Sequence, residues 1–512
     1  MEKTDATHIE TASIEEDFKN GTQINITDPE KSSGGLMATA EELYPSVDRK
    51  KLLRKMDFHI IPMLSLLYLL CFLDRGNIGN ANIEGLSTDL NLTGEQYNMA
   101  LTVFFFTYAP LEVPSNMLLK KFRPSIWLPT IMVGWGLVMT LMGIVQNYGG
   151  LLATRVLLGV FEAGLFPGVA YYLTTWYCRG ELQFRQAMFF SAASVAGAFS
   201  GLLAFAISKM RGVAGLEGWR WIFIIEGIAT VVVGVLAYFT LYDYPETAKF
   251  LTEEERQFVM YRIKFDGQSS SSAVAQDDSM NSKYLWDAFK DIQTWLHLGL
   301  FWGIICPLYS ISFFLPSIIK NLGYTSSKAQ LLTIPIYIVA ACWGVLQAWL
   351  SDKLQKRSIF VAFNLVCMML GYILAISISA AKHPAATYVG CYLAAFGIYP
   401  AIPGIISWIS NNVSGSYKRA VAMAVQIGIG NLLGAVSTNI YRVQDKPQYR
   451  LGHSVNLGFI VLGFLCLVGL RIFYTRQNTL KKERLASGYY DSMSEEEFAM
   501  LGDRSPYFEY KL

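Results

Sequence analysis

LLATRVLLGVFEAGLFPG, Leu151–Gly168, reads as a membrane helix carrying two charges that lipid alone would not accept. Its apolar residues suit a bilayer, yet Arg155 and Glu162 stand in it seven residues apart. At roughly 3.6 residues per turn that spacing is close to two turns, so both side chains point the same way. A charge at the centre of a membrane helix costs ~2.5–3.5 kcal/mol on insertion scales, so such residues face a cavity or a partner. The face bearing Arg155 and Glu162 is therefore the one to follow outward through the chain.

The 512 residues are 53% hydrophobic and 14% aromatic but only 16% charged, and the mean hydropathy is +0.32. A soluble globular chain is nearer about one quarter charged. The deficit is concentrated in charge-poor runs long enough to cross a ~30 Å hydrocarbon core. They fall at 58–82, 96–118, 126–146, 151–176, 184–208, 219–242, 294–317, 328–350, 359–379, 386–409, 420–441 and 453–474. The expected fold is an all-α polytopic membrane protein of about twelve spans.

An even number of spans puts both tails on one side. Lys50, Lys51, Arg54 and Lys55 precede the first span, and Lys120, Lys121 and Arg123 follow the second. Arg179, Lys353, Lys356, Arg357, Lys418, Arg419, Lys481, Lys482 and Arg484 lie in other loops or flanks on that side. The positive-inside rule makes that side cytosolic. The sequon at Asn91 is then extracytoplasmic, while those at Asn25 and Asn412 are not. The expected domains are a cytosolic tail at 1–55, six-helix lobes at 56–242 and 292–475, a cytosolic linker at 243–291 and a second tail at 476–512. The linker contains the low-complexity run SSSSAVAQDDS beside the helix-like TEEERQFVMYRI. Two lobes with a midplane site between them are a common plan among secondary transporters.

Several classes are disfavoured. The seven cysteines and five histidines show no metal or disulfide spacing, and no nucleophile–base array or GxxxxGK[ST] is visible, so no enzyme, cofactor or ATP-driven pump is expected. A net charge of +2 gives no reason to expect a nucleic-acid partner. The start Met-Glu excludes N-terminal myristoylation, and the polar leading segment lacks a signal-peptide core. The GxxxG pairs Gly164–Gly168, Gly197–Gly201 and Gly430–Gly434 fit close helix packing.

Other charges join Arg155 and Glu162. Span one ends its apolar run in LDRGNIGNA (Leu73–Ala81), placing Asp74 and Arg75 in its outer part. Asp74 and Arg155 fall at similar depth on different helices, so an ion pair between them is expected. Asp74, Glu162 and Arg155 then form a proton-coupling set, leaving Arg75 to meet an anionic substrate with its planar fork of donors. The bland alternative has Asp74 and Arg75 snorkelling to water and Arg155–Glu162 as a structural pair. Tyr108, Tyr337, Tyr399 and Asn431 lie near mid-depth as further substrate-binding candidates. Glu112, near the cytosolic end of span two, is expected to brace a gate against Arg179 or Arg185, and Glu226 is buried without an identifiable partner.

SDKLQKR (Ser351–Arg357) resembles the DRxGRR loop signature of the major facilitator superfamily, with Asp352, Lys353, Lys356 and Arg357 in place as a gate motif. Its first-half counterpart, MLLKKFRPS (Met117–Ser125), has Lys120 where the signature aspartate would stand. VPSN (Val113–Asn116), EAGLFPG (Glu162–Gly168), GWRWIFIIEG (Gly218–Gly227) and FLPSII (Phe314–Ile319) extend the likeness, as do LGYTSSKAQLLTIPIY (Leu322–Tyr337) and KPQYRLGH (Lys446–His453). With LDRGNIGNA they resemble the anion:cation symporter family, in the allantoate permease-like group that includes high-affinity nicotinic acid permeases. The resemblance covers the chain from about Arg54 to SPYFEYKL. It implies the major facilitator fold and proton-coupled uptake of small organic anions by alternating access, with protons as the coupling ion. It also implies the coupling and anion-binding roles of Asp74, Arg75, Arg155 and Glu162, and cavity roles for Tyr108 and Asn431.

Nicotinate is the first-choice substrate. Allantoate or another ureide, a dicarboxylate, pantothenate, biotin and a short peptide are the alternatives within the class. A non-transporting nutrient sensor is the alternative outside it, although both coupling carboxylates are retained. The expected setting is a monomer in a lipid bilayer, first the plasma membrane, with the endoplasmic reticulum or vacuole membrane as alternatives.

Overall fold

The computed structural model describes residues 40–264, 282–354, 356–379, 382–414, 416–489, 501–506 and 508–512. The run SSSSAVAQDDS lies outside them. The chain divides into two compact units, Met1–Asp48 and Arg49–Leu512. In the first, the described structure is one short helix, Ala40–Leu43, and a turn.

The second unit is a bundle of twelve long helical segments: α1 Arg49–Ile83, α2 Gly94–Phe122, α3 Pro124–Met142, α4 Tyr148–Glu162 continuing as Leu165–Thr174, α5 Arg179–Ser208 and α6 Gly218–Thr240. Then come α7 Ile292–Lys320, α8 Ser326–Leu354, α9 Ser358–Ser377, α10 Pro384–Asn412, α11 Ser416–Asn431 continuing as Leu433–Ser437, and α12 Arg450–Ala486. Each predicted span falls on one of these, with ends agreeing to within a few residues except that α1 starts nine residues before the predicted span and α12 runs twelve residues past it. Helix is the expected answer to these sequences, because only intrasegment bonds satisfy a backbone surrounded by lipid. Ten helices among the described residues are long and apolar enough to cross a membrane, and Val421–Ser437 is a shorter apolar helix. In α2, Glu112 and Pro114-Ser115-Asn116 dilute an otherwise apolar helix.

Helix starts are fixed locally. Thr93 and Gln96 form a reciprocal capping box at α2, Asn147 accepts from the Gly150 amide at α4, and Asp291 accepts from the Gln293 amide at α7. Between α6 and α7 the described residues form helices Glu253–Lys264 and Ser282–Lys290. Residues 501–506 and 508–512 lie against the second half of the bundle. The Asn412 side-chain amide donates to the Lys511 carbonyl and accepts from the Lys511 N–H, Tyr510 stacks on Tyr474 at 5.0 Å, and Lys481 donates to the carbonyls of Asp503 and Phe508.

Helix contacts repeat at an offset of six. α1 packs on α5 and α6, α2 on α4, α3 on α6 and α4; likewise α7 packs on α11 and α12, α8 on α10, α9 on α12 and α10. Contacts that cross between the halves join α1 to α7, α5 to α8 and α2 to α11. The α5–α8 approach depends on glycine: a β-carbon on Gly201 would sit 2.5 Å from the Gln330 carbonyl oxygen, and one on Gly197 would meet the Tyr337 ring at 2.6 Å.

The two ends of the bundle differ. Where α1 finishes, bonds cross between the halves: Lys320 and Ser326 donate to the Ile83 carbonyl, Gln330 to Glu84, and Asn439 to Thr102, which also meets Thr438. Where α1 begins, the ion pairs brace each half internally. Glu181 holds Arg49 at 3.0 Å and Arg262 at 2.6 Å, Asp57 holds Arg185 at 2.7 Å, and Lys418 bridges Asp291 and Asp503. An open cleft between α5, α8 and α10 extends toward that second end, with Gln347, Ser351 and Arg357 among its lining residues.

Candidate functional site

α1 presents consecutive residues about 100° apart around its axis, and this rotation separates Asp74 from Arg75. Arg75 turns toward α4, α2 and α7. Its Nε donates to Glu162 Oε1 at 2.9 Å, and its Nη2 forms a close ion pair with the same oxygen. Nη1 donates to the Tyr309 hydroxyl at 3.2 Å. The rings of Phe72, Phe104, Tyr108 and Tyr309 surround the guanidinium at 5.1–5.7 Å from its carbon. Such faces attract a cation while excluding water, and Arg suits them better than Lys. Both partners are buried.

Glu162 uses one oxygen for all of this. Oε1 also accepts from the Cys71 thiol at 3.1 Å, and no protein donor among the described residues reaches Oε2. The residue ends the first segment of α4, and the helix restarts at Leu165, so the carboxylate sits at a break. The Glu162–Arg75 contact continues as a chain. Tyr309 donates to Asn431 Oδ1 at 3.0 Å, and the Asn431 amide lies 3.5 Å from Glu112 Oε2. This line joins α4, α1, α7, α11 and α2, crossing between the halves twice.

The expected Asp74–Arg155 pair does not form. Counting residues along each helix does not fix the azimuth of either side chain. Asp74 faces α3 and α6, where Oδ2 accepts from Trp135 Nε1 and Thr230 Oγ1, both at 2.9 Å. The alternative Arg155–Glu162 pair is also absent, because Glu162 is taken by Arg75. Arg155 is buried, and its Nε and Nη2 meet no acceptor among the described residues. Nor does Arg185 receive Glu112; it is held by Asp57, with a second bond to the Glu181 carbonyl. Nothing of the Arg179 side chain is described. Glu226 does have a partner, the Asn77 amide at 2.6 Å.

Tyr108 and Asn431 therefore lie in the Arg75 network, whereas Tyr337 and Tyr399 lie apart from it. They pack edge to face at 5.6 Å and line a narrow cleft with Phe72, Gly76, Asn80 and Ser312. Phe72 touches both places. In the loop motif, Arg357 donates to the Ser407 carbonyl at 3.0 Å, Lys353 lies over Trp349, and Lys356 is exposed; the Asp352 side chain lies outside the described residues. Sequence reasoning missed Tyr309, Trp135, Thr230 and Asn77. Tyr309 had a signal, since it occupies α7, the helix equivalent to α1. The others are polar residues inside apolar runs, with nothing in their spacing to distinguish them.

Comparison with known proteins adds the family. The Major Facilitator Superfamily model matches residues 64–438. The MFS-type transporter cnsO of Penicillium expansum is 35% identical over 92% of each chain. The high-affinity nicotinic acid transporter of Saccharomyces cerevisiae is 34% identical over 85% of this chain and 79% of its own. Among solved structures, a bacterial homolog of the human lysosomal transporter Spinster, inward-facing and unoccupied, superposes with a TM-score of 0.59 at 16% identity, covering 82% of this chain and 98% of that one. Helix order, apolar spans and family match agree: the chain belongs to the Major Facilitator Superfamily and is a multi-pass membrane transporter.

Proposed function

We propose that this transporter carries a small organic anion together with protons, that the anion is a monocarboxylate, and that nicotinate is the first candidate. The observation behind this reading is the closed Arg75–Glu162 pair inside an aromatic cage. A buried guanidinium needs an anion, and here the protein's own carboxylate occupies the place a substrate carboxylate would take. Protonating Glu162 at its unbonded Oε2 neutralises that competitor and frees the fork of Arg75 for a bidentate bond to the incoming anion. Substrate and proton then enter together because each makes room for the other. Deprotonation restores the internal pair and expels the anion.

The rest of the site fits this cycle. Phe72 borders both Arg75 and the cleft lined by Tyr337 and Tyr399, so aromatic side chains flank the approach to the guanidinium. Arg155, lacking an acceptor, supplies a second positive charge on the α4 face. Asp74 holds α1 against α3 and α6. Bonds across the halves at one end, with a cleft extending to the other, suit alternating access. The likeness to the yeast nicotinic acid transporter supports the substrate choice and the allantoate permease-like assignment. The proposed setting is the plasma membrane with both termini cytosolic, following the basic flanks.

Radiolabelled uptake in a permease-deficient host tests the reading. Acid-driven nicotinate uptake, abolished by a protonophore and competed by related monocarboxylic acids, is expected. Uptake insensitive to the protonophore, or no uptake of any acid in the panel, contradicts it.

A further inference from the structure

We propose that Glu112 is a second proton-binding carboxylate, so that two protons accompany each monocarboxylate; this rests on the symport reading above. Glu112 lies four residues after Tyr108, one turn along α2 on the same face, and so faces the same passage as the Arg75 cage. It is 3% exposed. Its Oε2 lies 3.5 Å from the Asn431 amide, and no donor among the described residues reaches Oε1. Among the described residues no cation pairs with it at salt-bridge distance; the neighbouring charge is Arg75, already engaged by Glu162. An ionised carboxylate held this way keeps one oxygen unsatisfied in a dry site, a cost a bound proton removes.

The surroundings leave few other groups to titrate in its place. α1 contributes Arg75, α2 itself Tyr108, α7 Tyr309 and α4 Glu162; the upper segment of α4 adds Tyr171 and Tyr172, the latter bonded to the Tyr242 carbonyl. α3 contributes no titratable residue, and α11 contributes the uncharged Asn431. The Glu112–Asn431 contact joins α2 to α11 across the two halves, at one end of the chain Glu162–Arg75–Tyr309–Asn431–Glu112. Any rocking of the halves changes this contact and hence how the carboxyl is solvated. The proton is taken from water on one side as an O–H bond on Oε1 and returned to water on the other, with no other bond made or broken. One proton on Glu162 balances the substrate's charge, and a second on Glu112 leaves one net positive charge moving per cycle.

The test uses the purified full-length chain in proteoliposomes, with labelled nicotinate and the uptake panel's other monocarboxylates as probes. Counterflow exchange without a gradient verifies that each variant is folded. At zero potential, two protons give ~100-fold accumulation per pH unit and one proton ~10-fold. The extra charge adds ~50-fold per 100 mV, interior negative. The wild type is expected to show the first pair of values. Glu112→Gln is expected to fall to ~10-fold per pH unit and lose its response to potential, while still exchanging above the empty-vesicle background. Glu112→Asp is expected to restore the response. A wild type that accumulates ~10-fold per pH unit without response to potential overturns the inference and leaves one-proton symport standing. So does a Glu112→Gln variant that keeps the response. If Glu112→Gln does not exchange, Glu112→Asp decides alone: a two-proton response supports the inference and its absence overturns it. A wild type showing no pH-driven accumulation of any probe overturns the symport reading, and this inference with it.

Discussion

The two halves of the bundle repeat the same helix contacts but hold different chemistry. Asp74, Arg75, Glu112, Arg155, Glu162 and Glu226 all lie inside the first six helices. Between Asp291 and Lys320, through α9 and α10, and from Val421 to Asn439 the second half has no acidic residue, lysine or arginine. Its interior polar groups are neutral, as in Tyr309–Asn431, Ser310–Asn456 and the Tyr337–Tyr399 pair. Its charges lie at the two ends of the bundle, as in the Lys418–Asp291–Asp503 cluster at one end and Lys320 at the other. Equivalent packing therefore does not carry equivalent function. One half supplies ionisable groups; the other supplies hydroxyls, an amide and rings that complete the site without adding charge.

Changes in the first half should alter transport, and changes at the Lys418 cluster of the second should alter stability alone. The largest effect is expected for Arg75→Gln, which leaves Glu162 buried without its cation. Breaking such a pair from one side costs ~3–5 kcal/mol, and uptake should be lost with a clear fall in thermal midpoint. Arg75→Lys keeps the charge but loses the fork, so apparent affinity should weaken by about ten-fold or more, read as the uptake KM. Unchanged affinity would remove Arg75 from substrate contact.

Lys418→Met strands two carboxylates in the second half and should also cost ~3–5 kcal/mol. Here the melting midpoint should drop while nicotinate affinity in the folded fraction stays at the wild-type value; a changed affinity would break the division of labour. Trp135→Phe removes one of two donors to Asp74 and should cost ~1–3 kcal/mol by thermal melting. The smallest effect concerns Glu181. Burial alone would raise its carboxyl, but Arg262 and Arg49 outweigh burial and hold it below the ordinary glutamate value of 4.5. A depressed folded value means that its stabilisation is present above pH ~4.5 and is lost as acid protonates it in the folded state. The gap in melting midpoint between wild type and Glu181→Gln should therefore close on acidification below that pH. A gap that widened would contradict the assignment.

The fold was legible because membrane helices announce themselves by length and apolarity, and each predicted span falls on a helical segment among the described residues. The site was legible in membership more than in pairing. Arg75, Glu162, Tyr108 and Asn431 were identified because charge and polarity stand out in apolar runs. Depth follows from counting residues along a helix, but which neighbour a side chain meets depends on helix rotation, which the count does not give. Hence Asp74 was matched to Arg155 when it faces Trp135 and Thr230. Glu112 is expected against Arg179 or Arg185, but Asp57, near the start of α1, already holds Arg185. Trp135 could not be found in advance, since an indole in VGWG reads as packing.

Glu162→Gln tests the central claim most directly, because the amide fills the same space but cannot carry the coupled proton. In proteoliposomes with an imposed pH gradient, the variant is expected to exchange labelled for unlabelled nicotinate and yet to accumulate it no further than the ~10-fold per pH unit that a single proton on Glu112 allows. Accumulation by Glu162→Gln equal to that of the wild type would contradict the account.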